Sequence, residues 1–238
     1  VFDEFIDENG KVRPHWEPFL SAWCVLSPSE LNQRFGLADR HVRDTGVSYR
    51  VHGDIDERDP GVGERAWPLS HVPLVIPEAE WQVIAAGVTQ RAELLSTVLD
   101  DIYGPGAFIA DVFRSAAAIT GSPDYLRPVQ GTAGAGQLQI YAADLGRGPD
   151  GRWWVLQDRT QAPSGTGYAL ENRLALSRAF PDMFRSMNIE RLAAFFQGFR
   201  AGLVSRSKRV EPRIALLTPG SLNESYFEQA YLARYLGF

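Results

Sequence analysis

Lysine is almost absent from the chain: Lys11 and Lys208 are the only two, and arginine supplies nearly all of the positive charge. A single cysteine, Cys24, excludes an internal disulfide and a thiolate metal cluster, which suits a reducing compartment, and it reads as a small buried hydrophobe. Long apolar runs are missing too. LAAFF at 192–196 and IALL at 214–217 fall far short of the roughly 20 residues that span a bilayer, so no membrane span is expected. The opening VFDEFIDENG has neither the basic start nor the apolar middle of a secretion signal, and a cytoplasmic location is expected. The net charge of −5 gives no general attraction to phosphate backbones, and no basic face for nucleic acid stands out.

What is present, in 238 residues of which 45% are apolar, suffices to bury a real core in one large domain plus part of another. Ser27, with Glu30 three residues on, opens a helix in SPSELNQRFGLADRHVRDTG, and a strand follows at VSYRVH. Residues 54–66 combine charge, Gly and Pro without apolar periodicity and read as a loop. From Pro77, PEAEWQVIAAGVTQRAELLSTVLDDIYG has helical spacing, a Pro near its start and a Gly at its end. A shorter helix is expected at 111–119, before GSPDYLRPVQG and GTAGAG interrupt regular structure. QLQIYAADL and RWWVLQD, joined by GRGPDG, read as a β-hairpin. YALENRLALSRAF and residues 189–205 read as helices that can pack on it, and RIALLTPG as a strand and turn leading into the helix NESYFEQAYLARYLG. That last strand–helix pair would begin a new α/β unit that the chain does not complete, as in a truncated protein.

The hairpin carries the acidic groups of interest. Asp144 lies near the end of its first strand and Asp158 near the end of its second, beside Gln157 and Arg159. Mg2+ prefers oxygen ligands, keeps several waters and takes one or two protein carboxylates plus substrate phosphates, so such a pair could hold it. A three-residue Pro149-Asp150-Gly151 loop would set Asp144 opposite Leu156 and place Asp158 on its face. A two-residue loop would present Gln157 instead. Both aspartates also suit plain strand-end or capping positions. The stretch APSGTG at 162–167 could offer backbone N–H groups to a phosphate or serve as a structural loop. His15, His41, His52 and His71 lack metal-ligand spacing and read as structural or surface residues. Of Trp153 and Trp154, one is expected to pack beneath helices and the other to stand half exposed.

The strings GVSYRVHGD, EWQVIAAGVTQRAELLSTVLDDIYG, YLRPVQG, AADLGRGPDGRWWVLQDRTQAPSGTGYALENR and LLTPGSLNESYFEQAYLARYLG resemble the circularly permuted ATP-grasp family, in order and over almost the whole chain. That family is similar to glutathionylspermidine synthase, which activates a carboxylate with ATP as an acyl phosphate that an amine then displaces. The resemblance implies an α+β or α/β fold: the first half of a permuted ATP-grasp domain, with an antiparallel hairpin packed by helices, over residues 1–205. A linker at 206–212 and the start of a Rossmann-like pre-ATP-grasp substrate domain at 213–238 would follow. It also implies ATP and Mg2+ as cofactors and small-molecule or peptide carboxylate and amine substrates, with a partner protein as a further possibility. Metal ligation falls on Asp144, Gln157 and Asp158, and nucleotide or substrate contacts on Arg91, Arg127, Ser164, Gly165 and Arg173. The family's Glu-x-Asn pair lands on Gln157-Asp158-Arg159, and Arg159 cannot ligate a cation. A degenerate, non-catalytic nucleotide- or protein-binding member therefore stands as the alternative to a ligase.

Overall fold

Ser27 opens its helix in the manner its spacing to Glu30 requires: its hydroxyl accepts from the Glu30 N–H at 3.3 Å, and the Glu30 carboxylate accepts from the Ser27 N–H at 2.8 Å. The computed structural model describes residues 2–52, 63–107, 116–131, 134 and 136–238. In chain order the elements are α1 (Glu17–Cys24), α2 (Pro28–Asp44), β1 (Ser48–Val51), β2 (Gly63–Ala66), α3 (Glu78–Ile102), α4 (Ala116–Thr120), β3 (Ala142–Arg147), β4 (Trp153–Arg159), α5 (Thr166–Ala179), α6 (Pro181–Ser186), α7 (Ala193–Ser205) and α8 (Tyr226–Leu236). Single 3-10 turns lie at Pro14–Trp16 and Arg127–Val129. The strands form two antiparallel pairs, β1–β2 and β3–β4, so the fold is a mixed one of helices and small antiparallel sheets. No described helix is long and apolar enough to cross a membrane.

Two compact units divide the chain, Val1–Phe2 with Ile76–Pro163 and Asp3–Val75 with Ser164–Phe238. The first contains the long helix α3 and the hairpin β3–β4. Regular pairing in β3 begins only at Ala142, later than the apolar run suggests. Upstream, the amides of Gly136 and Gln137 donate to the Asp100 carboxylate at 2.8 and 3.0 Å, which satisfies them without a strand partner. Most of the helix expected at 111–119 lies outside the described residues, as do residues 54–62 of the loop expected at 54–66, whose last four residues are corrected to the strand β2, paired with β1.

In the second unit α5 is buried over most of its surface, with Tyr168, Leu170, Ala175, Leu176 and Ala179 inside and Ala169 and Arg178 exposed. A helix covered over most of its circumference shows little amphipathic periodicity. The elements that bury α5 are α2, α6 and α8, all within its own unit. One core cluster joins Trp16, Phe19, Val42, Leu176 and Phe180, with Trp23 stacked on Phe180 at 5.7 Å. Trp67 stacks on Tyr168 at 4.1 Å beside it. A second cluster joins Leu170, Phe196, Tyr231, Leu232 and Leu236.

Two acids are buried against α5, and each is matched. Glu171, on the helix itself, lies 2.9 Å from His41 Nε2, while Arg178 donates to His41 Nδ1 at 2.8 Å. Arginine is a donor only, so Nδ1 is the acceptor and the ring proton sits on Nε2, facing the carboxylate. Glu228, on α8, accepts from the amides of Gly165 and Gly167 at 2.7 Å and from the Thr166 hydroxyl at 3.3 Å. It thereby meets the unpaired donors and the positive end of α5. A side chain at position 167 would put Cβ 2.9 Å from the Glu228 Cγ, so the approach requires glycine.

Two expectations are corrected here. Cys24 is exposed, because the stripe Trp16, Phe19, Leu20 and Trp23 takes the core side of this segment. Residues 213–217 form no strand: none lies beside them among the described residues to accept their hydrogen bonds, and Leu217 is 97% exposed. The helix after them, α8, belongs to the core of the second unit.

Glu228→Ala should lower the unfolding free energy by at least roughly 1.5–3 kcal/mol, the scale of one hydrogen bond to a charged group. Glu228→Gln should cost most of the same, since its NH2 end would face N–H donors. Denaturant melts of the wild type and both variants measure this, and indistinguishable midpoints would contradict the role given to the carboxylate.

Candidate functional site

The hairpin turn forms as its sequence dictates. Gly151 adopts φ +79°, the Gly148 amide donates to the Arg152 carbonyl at 2.7 Å, and Pro149-Asp150-Gly151 make a three-residue loop. From there the pairs are Arg147 with Trp153, Gly146 with Trp154 and Leu145 with Val155. The pairing then passes over Leu156: Asp144 faces Gln157, Ala143 faces Asp158 and Ala142 faces Arg159. This β-bulge corrects the expectation that a three-residue loop puts Asp158 on the face of Asp144, because the extra residue flips every side chain beyond it. Gly146 was the available signal, since a glycine inside a strand often marks a bulge. A Cβ there would lie 2.9 Å from Leu156 Cδ1.

One face of the hairpin is turned to α3. Asp158 accepts from Arg91 Nε at 2.5 Å and Nη2 at 2.6 Å, and from the Tyr141 hydroxyl at 2.6 Å. The Arg91 guanidinium, aided by Tyr141, holds the Asp158 carboxyl down at about 2. Burial and the hydrogen bond to Asp158 push the Tyr141 phenol up to about 12. Near the turn, Glu80 of α3 pairs with Arg147 at 2.5 Å and accepts from Trp153 Nε1, while the Arg147 guanidinium lies 4.2 Å over the Trp153 ring. Asp158 and Arg91, expected at the metal and at the nucleotide, are thus paired with one another. Tyr141 and Glu80, which no local motif singles out, complete the clamp.

The other face is open. It carries Asp144, Gln157 and Arg159 along with Trp154 and Leu156, which are 56% and 71% exposed. Arg159 chelates Asp144: Nε donates to both carboxylate oxygens at 3.1 and 3.0 Å, and Nη2 to Oδ2 at 2.7 Å. These hydrogen bonds raise the Arg159 pKa. Among the described residues no cluster of three or more His, Cys, Asp and Glu side chains could hold a metal ion. Asp144 and Gln157 offer one carboxylate and one carbonyl on one face, which fits a Mg2+ that brings phosphates and water with it and displaces Arg159. Asp158, facing away, does not fit that ligand set.

The remaining candidates are dispersed. Arg127 is exposed in its 3-10 turn, with no ion pair among the described residues, and Ser164 is exposed before α5. The Gly165 amide, expected to meet a phosphate, meets the Glu228 carboxylate. Arg173, on α5, is partly buried, and that burial lowers its pKa against the opposing influence of Glu190.

Because the folded pKa of Asp158 lies below its unfolded value, the clamp contributes full stability above about pH 4 and loses it as pH falls towards about 2. The difference in melting temperature between wild type and Asp158→Asn should be largest near neutrality and vanish across that window. A constant difference would remove the clamp from the account.

Comparison with known proteins adds the family. Residues 73–238 match the model for circularly permuted ATP-grasp type 2. The chain is 34% identical over 244 residues to Uncharacterized protein Rv2567 of Mycobacterium tuberculosis, covering 100% of this chain and 28% of that protein. It is 33% identical over 240 residues to Uncharacterized protein sll0335 of Synechocystis, covering 99% and 49%. It is 32% identical over 241 residues to the Frankia alni protein named "Putative glutamate--cysteine ligase 2-3", covering 99% and 27%. It therefore spans between about a quarter and a half of the length of these curated relatives. With a family match over most of its length and the hairpin strings inside the matched region, the chain belongs to the circularly permuted ATP-grasp type 2 family.

Proposed function

We propose that the full-length protein is an ATP-dependent ligase that joins a carboxylate to an amine, with the open face of β3–β4 directed at the nucleotide phosphates. Family membership and the printed ligase names of the Frankia relatives support an ATP-dependent ligase in general. The observation that carries the assignment to the hairpin is the juxtaposition of Asp144, Gln157 and Arg159 on one exposed face. In the reaction, the γ-phosphoryl group passes to a substrate carboxylate and ADP leaves. An amine then attacks the acyl carbon, phosphate departs and one proton is released. This is the chemistry of the glutathionylspermidine synthase group. The work of the protein is positioning and charge neutralisation. Arg159 suits a phosphate, which a guanidinium grips with two parallel hydrogen bonds. Asp144 and Gln157 would hold Mg2+, which when bound neutralises phosphate charge. Arg127, Ser164 and Arg173 are proposed as substrate or nucleotide contacts, residues 213–238 as the start of a substrate domain, small molecules or peptides as substrates, and the cytoplasm as the setting.

One observation favours a second reading, a member that binds nucleotide without turnover: Asp144 is already neutralised by Arg159. Calorimetric titration of Mg-ATP into the full-length protein tests both. Asp144→Ala should weaken binding about tenfold, or about 1.4 kcal/mol. Asp158→Ala should leave affinity unchanged and lower the melting temperature. Arg159→Asn, which uncovers Asp144, should strengthen binding of Mn2+ alone. ADP release in the presence of carboxylate and amine pools supports the ligase, and stoichiometric binding without it supports the second reading. Absence of ATP binding would sink both.

A further inference from the structure

The second unit contains a cleft of about 410 Å3 between β1, the turn at 221–224 and α8. That volume lies inside the range of small-molecule sites, roughly 300–1,000 Å3. Its walls are tied together: the Arg50 amide donates to the Glu224 carbonyl at 3.2 Å, and Asn223 Oδ1 accepts from the Ser225 amide and from Gln229 Nε2 at 3.0 and 3.2 Å. The Tyr168 hydroxyl anchors the back of β1 through the Ser48 carbonyl at 2.8 Å.

Several polar groups along the cleft are thereby committed to the fold, and three charged ones are not. Arg50, Arg234 and Glu224 line it, and their side chains make no hydrogen bond or ion pair with the described residues. Arg50 stands directly across from Glu64 in the β1–β2 pair, a position where opposite charges ordinarily meet. The Glu64 carboxylate instead accepts from the Ser48 hydroxyl at 2.6 Å. The Arg234 guanidinium lies 5.9 Å over the Tyr231 ring, on the cleft wall. Two guanidinium groups and the Glu224 carboxylate thus line one concavity, with the Glu64 carboxylate, held by the Ser48 hydroxyl, beside them. A ligand that carries both signs of charge would satisfy all three.

We propose that this cleft binds a free α-amino acid, its carboxylate at Arg50 and Arg234 and its ammonium group at Glu224. Binding here requires neither ATP nor turnover, so it stands or falls separately from the ligase assignment.

The test is calorimetric titration of the full-length protein, without nucleotide, using each protein-building amino acid, with acetate and ethylamine as probes of one charge only. At least one amino acid should bind, and acetate and ethylamine should bind at least about tenfold more weakly, because each leaves one sign of charge unmet. Arg234→Gln, at an exposed position of α8, and Glu224→Gln should each weaken amino-acid binding about tenfold or more with the melting temperature unchanged. Failure of every amino acid to bind, acetate binding as tightly as an amino acid, or affinity unchanged in both variants would overturn the proposal.

Discussion

Hydrogen-bond pairing between β3 and β4 has to pass over Leu156, and the chemistry of the first unit follows from that one omission. Side chains alternate along a strand, so an extra residue moves everything beyond it to the opposite face. Asp158 goes towards α3, where Arg91 and Tyr141 take up its carboxylate. Gln157 and Arg159 go the other way and join Asp144 in the open. Without the bulge the two aspartates would share a face and repel, and Arg91 would have no acid across from it. With it, each aspartate has its own arginine: one pair fastens the hairpin to its helix, and the other remains where a ligand can compete for it.

The second unit is organised by the need to enclose α5. A helix buried over most of its surface gains apolar contact, but its first-turn amides lose their access to water. Glu228 resolves this from a residue far along the chain, and Gly167 permits the approach by lacking a side chain. Glu171 sits in the same enclosed helix and is met by His41. Removing His41 would take this donor from the buried Glu171 carboxylate, which costs more than the net gain of the pair suggests.

The scarcity of lysine acquires a structural sense from these contacts. Arg91 and Arg159 both grip a carboxylate through two nitrogens, a planar match that an ammonium group cannot make. A phosphate offers the same geometry to a guanidinium as a carboxylate does.

Local signals determined a good deal by themselves. Ser27 with Glu30 defined the start of α2, Pro77 and Gly104 bracketed α3, and Pro149-Asp150-Gly151 set the turn, because each acts within a few residues of its own position. The family was legible for the same reason, in strings such as DRTQAPSGTGYALENR that keep their residues in order. What only the tertiary structure decided were relations across long separations. Gly146 hinted at a bulge, but its place at Leu156 depends on two strands meeting. The claim of Glu228 on the Gly165 amide depends on α8 packing against α5. The segment at 213–217 has the composition of a strand and stays unpaired, because pairing needs a neighbour that composition cannot supply. Propensity acts along the chain, whereas the face a side chain presents and the partner it finds are settled by packing between residues that the sequence holds far apart.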